Sequence, residues 1–492
     1  MSETESVGGK AGRAAPDGRP VWRKALGLVD LVLFTACAVV VADTVAASAA
    51  IGVQSLGWWL ISILLFFVPY GLVTAELGSA WPSEGGIYVW VKEAFGPFWG
   101  SLTAWLYWIN VAYWMPSVFV LFSGILASVF APGLGNAGQA AVTVALVWLT
   151  VGLGILDIRL NKWIPNVGAA IKILLLLFLG GLGIWFALAH GPANSFAPRE
   201  WVPRWSATLA FLPVVVYNYM GFELMSSAGE EIKDPQRDVP RAILLAGVVI
   251  AAVYMLATFG ILAAVPLAKI NVVTGITDAL KVMSAGVPWL TGAYYVASAL
   301  LLVTFVANMV TWSMGANRVI AVTGLDKQVP GVFGHIHPRY GSPDYAYLLM
   351  GAVATVLAVG NYVTFESVAS VFWTIFALSS IVFLLPYLLM FPAFLRLRYV
   401  RPEQERPFRV GGGRAGAWLA ALLGEFFILL ACVFFFMPPE GTENVVVYEA
   451  QITGGTVLTV LVGVVVYLRS RARAAGPAAW TPGSGAGRGA AR

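Results

Sequence analysis

The chain has 492 residues, 59% of them hydrophobic and only 11% charged, with a mean hydropathy of +0.80, whereas an ordinary soluble domain carries charge on roughly a quarter of its residues. This composition excludes a soluble globular protein and identifies an all-α polytopic protein embedded in a lipid bilayer. The net charge of +5 falls mostly in short loops between apolar runs, where it reports membrane topology and not a nucleic-acid partner.

Residues 1–27 are rich in Gly, Ala and charge without periodicity and read as a disordered tail, as do residues 469–492 at the other end. Between them lie twelve apolar runs, each long enough to cross about 30 Å of hydrocarbon. They are Leu28 to Gly52, Trp58 to Ala80, Pro97 to Phe130, Gln139 to Leu156, Ile164 to Ala189, Ser206 to Ala228, Ala242 to Val265, Trp289 to Gly315, Tyr345 to Gly360, Val368 to Phe391, Trp418 to Met437 and Ile452 to Leu468. A basic loop separates the tenth run from the eleventh.

If the N-terminus is placed inside, 25 of the 30 Lys and Arg residues fall on inner segments. The outer loops hold Arg199, Arg204, Lys269 and Lys281, and Lys172 lies inside the fifth run. The positive-inside rule therefore predicts a multi-pass protein of the cell membrane with both termini cytoplasmic.

In the loop after the second run, Ile87, Trp90, Val91 and Ala94 fall at i, i+3, i+4 and i+7, which predicts a short amphipathic helix along the inner membrane surface, or a plain connecting helix. Polar groups at membrane depth are costly and mark function. Asp43 lies 13 residues beyond Asp30, about 20 Å along a helix. It either meets a substrate ammonium or is held structurally by backbone or by Lys172. Lys172 sits about 12 Å below the inner end of its run, further than a stem of about 6 Å reaches comfortably, so it faces a polar interior. The stretch from Tyr217 to Pro240 places Asn218, Gly221 and Glu223 where Leu, Ile and Val are usual. Gly221 reads as a break in a membrane helix, and the freed backbone there can line a solute site.

No Gly-x-Ser-x-Gly, His-Glu-x-x-His or phosphate loop is present, so an enzyme is not expected. The two cysteines, Cys37 and Cys432, lie in apolar runs and do not suggest a disulfide framework. The three histidines lack metal-ligand spacing, so neither a metal nor a cofactor is expected.

Three separated motifs occur in order: the segment from Glu76 to Pro97; Gly221-Phe222-Glu223 followed by Asp234-Pro235-Gln236-Arg237-Asp238-Val239-Pro240; and Asn317-Arg318 leading to His337-Pro338-Arg339-Tyr340-Gly341-Ser342-Pro343. From about Leu26 to Leu468 the chain resembles the amino acid, polyamine and organocation transporters, and Tyr219 to Glu223 with the run from Pro69 to Trp90 are most similar to the glutamate/GABA antiporter branch. The resemblance implies a ten-helix core over residues 28–391, built as a five-plus-five inverted repeat (28–190 and 206–391). Spans one and six would be discontinuous, and residues 392–468 would hold spans eleven and twelve outside the core. An unwound segment offers N–H groups to a carboxylate and C=O groups to an amine, which suits a zwitterion.

The function implied is a secondary active transporter of amino acids that works by alternating access, independently of sodium, by exchange or proton coupling. A polyamine or other organic-cation transporter is the alternative, and a non-transporting receptor-like protein a third. The partner implied is thus a small-molecule amino acid or amine, with the oligomeric state left open. By the same resemblance Tyr217 matches the aromatic that covers the substrate, and Glu223 an acidic position that either serves the substrate or only meets the half-helix dipole. Lys172 matches a lysine that replaces sodium between spans one, five and eight. Where many members carry Gly-x-Gly in span one, this chain has Val41-Ala42-Asp43-Thr44, so the unwound residues there are not fixed by the motif. Thr44, Asn110 and Asn308 complete the candidate lining. Tyr107, Tyr113, Trp114, Thr311 and Trp312 are set aside, because aromatic residues near span ends more often anchor the interface.

Overall fold

A computed structural model describes residues 26–83, 85–156, 163–204, 210–439 and 442–474; within them, the side chains of Asp43 and residues 228–230 lie outside the described part. Both tail expectations thus fall largely on residues outside it. Among the described residues, ten helices are long and apolar enough to cross a membrane. They are Gln54–Ala80 (span two), Pro97–Val129 (three), Asn136–Ile155 (four), Trp163–His190 (five), Pro235–Ala264 (seven), Pro288–Leu325 (eight), Asp344–Thr364 (nine), Val368–Val400 (ten), Gly413–Phe435 (eleven) and Val445–Arg473 (twelve).

The remaining two crossings are broken. Span one is helical over Leu28–Val39, extended at Val40 and Val41, and resumes as a 3₁₀ turn, Ala42–Thr44, that runs into Val45–Ala49. Span six is helical over Leu212–Tyr217, turns through Gly221, and continues as a long 3₁₀ segment, Phe222–Glu231. Gly221 has φ +119, which a side chain rarely adopts, and a Cβ there would lie 2.9 Å from the Trp312 ring. Gly221 thus both permits the turn and lets Trp312 approach. Residues 205–209 of the expected sixth run lie outside the described part.

Among the spans that run further than their apolar patterns, eight, ten and twelve do so at basic ends. Span eight continues past Gly315 to Leu325, because Arg318, which ends the hydropathy signal, is buried and paired at 2.8 Å with Glu231 at the end of span six. Span ten continues to Val400 and span twelve to Arg473. In both, the added turns carry Arg residues.

Small residues set the close crossing of spans five and seven. A Cβ on Gly183 of span five would lie 2.5 Å from the Gly260 Cα of span seven, and one on Gly260 would lie 2.6 Å from the Leu179 carbonyl. The two backbones can meet only because both positions lack side chains. In span two a π turn, Ile63–Phe67, precedes Pro69. The missing proline N–H is a sufficient cause for that local widening.

The face that carries most of the arginines is laced shut. Glu76 on span two is buried and accepts from Arg398 Nε at 2.9 Å, from Arg398 Nη2 and from the Val410 N–H at 2.7 Å. Arg406 lies 3.4 Å away. Burial lowers the Arg406 guanidinium below its ordinary value, and the Glu76 charge opposes that shift. The short helix expected between spans two and three forms as Ile87–Phe95, and its apolar face is buried. It packs on spans three and ten. Its Tyr88 hydroxyl donates to Asp326 at 2.7 Å, and Lys92 pairs with the same carboxylate. Leu26, just before span one, exchanges two backbone hydrogen bonds of 3.0 Å with Glu231 and Lys233, so the start of span one and the end of span six are stitched together.

Candidate functional site

A helix that stops inside the bilayer leaves its last four carbonyls without intrahelical partners. In span one each of the four is served differently. Ala36 keeps a backbone bond from Val40 at 2.9 Å. Cys37 accepts from the Lys172 ammonium of span five at 2.6 Å, and Ala38 from the Trp312 indole of span eight at 2.8 Å. Val39 accepts from the Tyr254 hydroxyl of span seven at 2.5 Å, and that same oxygen accepts from the Val41 N–H at 2.7 Å. One phenol thus bridges both sides of the break.

The break in span six has a corresponding device on span two. The N–H groups of Gly221 and Phe222 donate to the Tyr70 hydroxyl at 3.0 and 3.2 Å. Tyr70 in turn donates to Glu223. The other Glu223 oxygen accepts from Tyr107 at 2.7 Å and Tyr387 at 2.6 Å. Glu223 is therefore a buried carboxylate held by three phenols from spans two, three and ten. The two breaks are tied directly: Thr44 donates to the Asn218 oxygen, and the Asn218 amide donates to Ser48 at 3.1 Å.

Aromatic rings pack against one another beside these breaks. Trp114 lies edge-on to Trp312 at 5.5 Å and to Tyr217 at 6.0 Å. Phe383 packs against Trp312 at 5.3 Å and Tyr217 at 5.6 Å. Tyr107 and Trp114 stand seven residues apart on span three, on one helical face with Asn110 between them. Asn110 is buried, and its side-chain oxygen has no hydrogen-bond partner. At the opposite face of the membrane a cavity of about 460 Å³ is lined by Ala50, Phe211, Asn271, Ser367, Trp373 and Thr374. Ring contacts continue from Trp373 to Phe376 at 5.7 Å and from Phe376 to Tyr217 at 5.1 Å.

The structure brings Thr44, Tyr217, Gly221, Glu223 and Asn308 to the two breaks, with Asn110 on the facing side of span three. Lys172 sits beside them, and its ammonium also donates to the Asn308 oxygen at 2.6 Å. The Asn308 amide nitrogen is buried without a partner. The side chain of Asp43 is outside the described part; its backbone lies in the 3₁₀ turn just after the first break. Setting aside Tyr107, Trp114 and Trp312 as interface anchors is corrected by their burial in this centre. Tyr70, Tyr254, Phe383 and Tyr387 were not anticipated at all. A tyrosine in the middle of an apolar run, where no interface lies near, is the signal that would have found the first two.

The chain matches a family profile described as amino acid permease over residues 26–466. It is 33% identical over 449 residues to a probable agmatine/putrescine antiporter of Lactococcus lactis, an alignment covering 91% of this chain and 95% of that one. It is 28% identical over 362 residues to a polyamine transporter of Oryza sativa, covering 73% and 64%. Among solved structures it resembles a manganese transporter mutant of Eremococcus coleocola with a TM-score of 0.59, covering 90% and 94% at 12% identity, which is a likeness of fold.

Substitution of Gly221 by Ala forces a strained φ, worth about 1 kcal/mol or more, and pushes Trp312 off the Ala38 carbonyl. The expected outcome is protein that is monodisperse in detergent yet loses solute flux in liposomes. Flux at the wild-type rate would contradict this placement of the break.

Proposed function

The chain belongs to the amino acid permease family, and from that we infer that it exchanges organic amines of the agmatine and putrescine kind across the cell membrane by alternating access. It is a multi-pass membrane transporter and not an enzyme. The observation that carries the amine reading is the box of Trp114, Tyr217, Trp312 and Phe383 beside a buried carboxylate. Aromatic faces attract ammonium and guanidinium groups by about 2 kcal/mol or more when water is excluded. Glu223 adds a negative charge at one side, and the unpartnered Asn110 oxygen supplies an acceptor for N–H. The names carried by the Lactococcus and Oryza relatives agree with an amine in place of the amino acid first expected.

The fixed ammonium of Lys172 between Cys37 of span one and Asn308 of span eight supports sodium-independent transport, because a cation is already built in where the spans meet. The basic face is assigned to the cytoplasm, with both termini inside. Its ionic closure, set against the cavity on the other face, describes an outward-facing state. Glu223 with its three phenols then forms the barrier on the inner side.

Counterflow of agmatine and putrescine in sodium-free liposomes tests this reading. Flux is expected without sodium and at least about fivefold slower in Lys172→Met, since removing one partner of a buried polar network costs about 1–3 kcal/mol. A sodium requirement in the wild type, or full activity of Lys172→Met, would contradict the built-in cation; absence of any amine flux would contradict the function. Orientation is tested separately by thiol labelling of Gln236→Cys in a variant lacking Cys37 and Cys432. Modification only after the membrane is opened is expected, and labelling from outside intact cells would reverse the assignment.

A further inference from the structure

In a broken membrane helix, a carboxylate is bound by the N–H groups and positive dipole end where the second half begins. In this chain the place at span six already has its own partner, and so does the N–H that leads into the turn at span one. At span six the N–H groups of Gly221 and Phe222 are taken by the Tyr70 hydroxyl, and the first turn beyond carries the Glu223 carboxylate. At span one the Val41 N–H is taken by the Tyr254 hydroxyl, and the first turn beyond carries an acidic residue, Asp43. A substrate carboxylate would find these three donors occupied and, at span six, would approach the Glu223 carboxylate.

The pattern is the same at both ends. Span two serves the break in span six, and span seven serves the break in span one, so each element stands five spans from its counterpart. That arrangement fits a five-plus-five repeat. Neither acidic residue interferes with an amine that lacks a carboxylate. The aromatic box is then the surface left for recognition, and it distinguishes cations without needing the backbone.

We propose that Tyr254, together with Tyr70, determines specificity by withholding the broken backbone from substrate carboxylates, so that the transporter selects decarboxylated amines over the amino acids they derive from. This rests on the amine-exchange reading and deepens it. Tyr254 is suited to a clean test, because its ring also stacks on Trp59 at 4.9 Å. Phenylalanine keeps that stack and removes only the hydroxyl, which frees the Val41 N–H and the Val39 carbonyl together.

The experiment measures counterflow KM for agmatine against arginine, and putrescine against ornithine, with purified full-length protein in liposomes. In the wild type each amino acid is expected to have a KM at least about tenfold above its amine, since a hydrogen bond to a charged group is worth about 1.5–3 kcal/mol and 1.4 kcal/mol is tenfold. In Tyr254→Phe the ratio of amino acid KM to amine KM is expected to fall by about tenfold. Tyr70→Phe, which frees two N–H groups, provides a second variant with the same expected direction. A loss of packing alone would raise both KM values together and leave the ratio where it was. The proposal is overturned if the wild type handles arginine as well as agmatine, or if neither folded variant shifts the ratio. In those cases the amine-exchange reading still stands on the agmatine flux, and it falls only if no amine is exchanged.

Discussion

The free ends of a helix interrupted in the middle of a bilayer have no water to turn to, and each backbone group left unpaired there costs several kcal/mol. The arrangement of this protein follows from how that demand is met. Three consecutive carbonyls at the end of the first half-helix, those of Cys37, Ala38 and Val39, are reached by side chains from spans five, eight and seven. Those spans are therefore tied to span one by groups that cannot be lost singly without leaving an orphan. At span six the Tyr70 hydroxyl plays the corresponding part for two N–H groups and passes the connection to Glu223, and through it to spans three and ten. The bundle is held about its two weakest points.

That coupling has a mechanical consequence. The closed face depends on the three phenols around Glu223 and on peripheral pairs such as Arg318 with Glu231 and Tyr88 with Asp326. Any motion of the second half of span six relative to spans three and ten would have to break the Glu223 contacts with Tyr107 and Tyr387. Span one is linked to the same movement by the backbone bonds of Leu26 and by the Thr44–Asn218–Ser48 bridge. On the proposed exchange mechanism, these links would make the opening of the arginine-rich face one concerted event.

Much of this was legible from residue types at depth. Gly221, Glu223 and Lys172 stand out because each is costly or conformationally special in hydrocarbon, and hydropathy alone located the spans to within a few turns. The partners were not legible. Lys172 meets a backbone carbonyl, and a carbonyl has no residue identity to read. Trp114, Trp312 and Tyr107 carry the same letters as interface anchors, and only their burial separates the two roles. The helix ends were misjudged where an arginine was paired: hydropathy scores Arg318 as a charge in water, whereas Glu231 makes it part of the interior. Nor could the sequence show that the N–H groups of Gly221, Phe222 and Val41 carry tyrosine hydroxyls. Sequence gives the break, but tertiary packing decides who fills it.

The central claim, that a cation-selective aromatic box operates beside a backbone already satisfied by tyrosines, is most directly tested by an experimental structure with agmatine bound, beside one prepared with arginine. The account predicts the guanidinium or ammonium of agmatine against the faces of Trp114 and Trp312, with Tyr70 and Tyr254 still on their backbone partners, and no comparable occupancy by arginine. An arginine carboxylate seated on the N–H groups of Gly221 and Phe222, with the Tyr70 hydroxyl displaced, would contradict it.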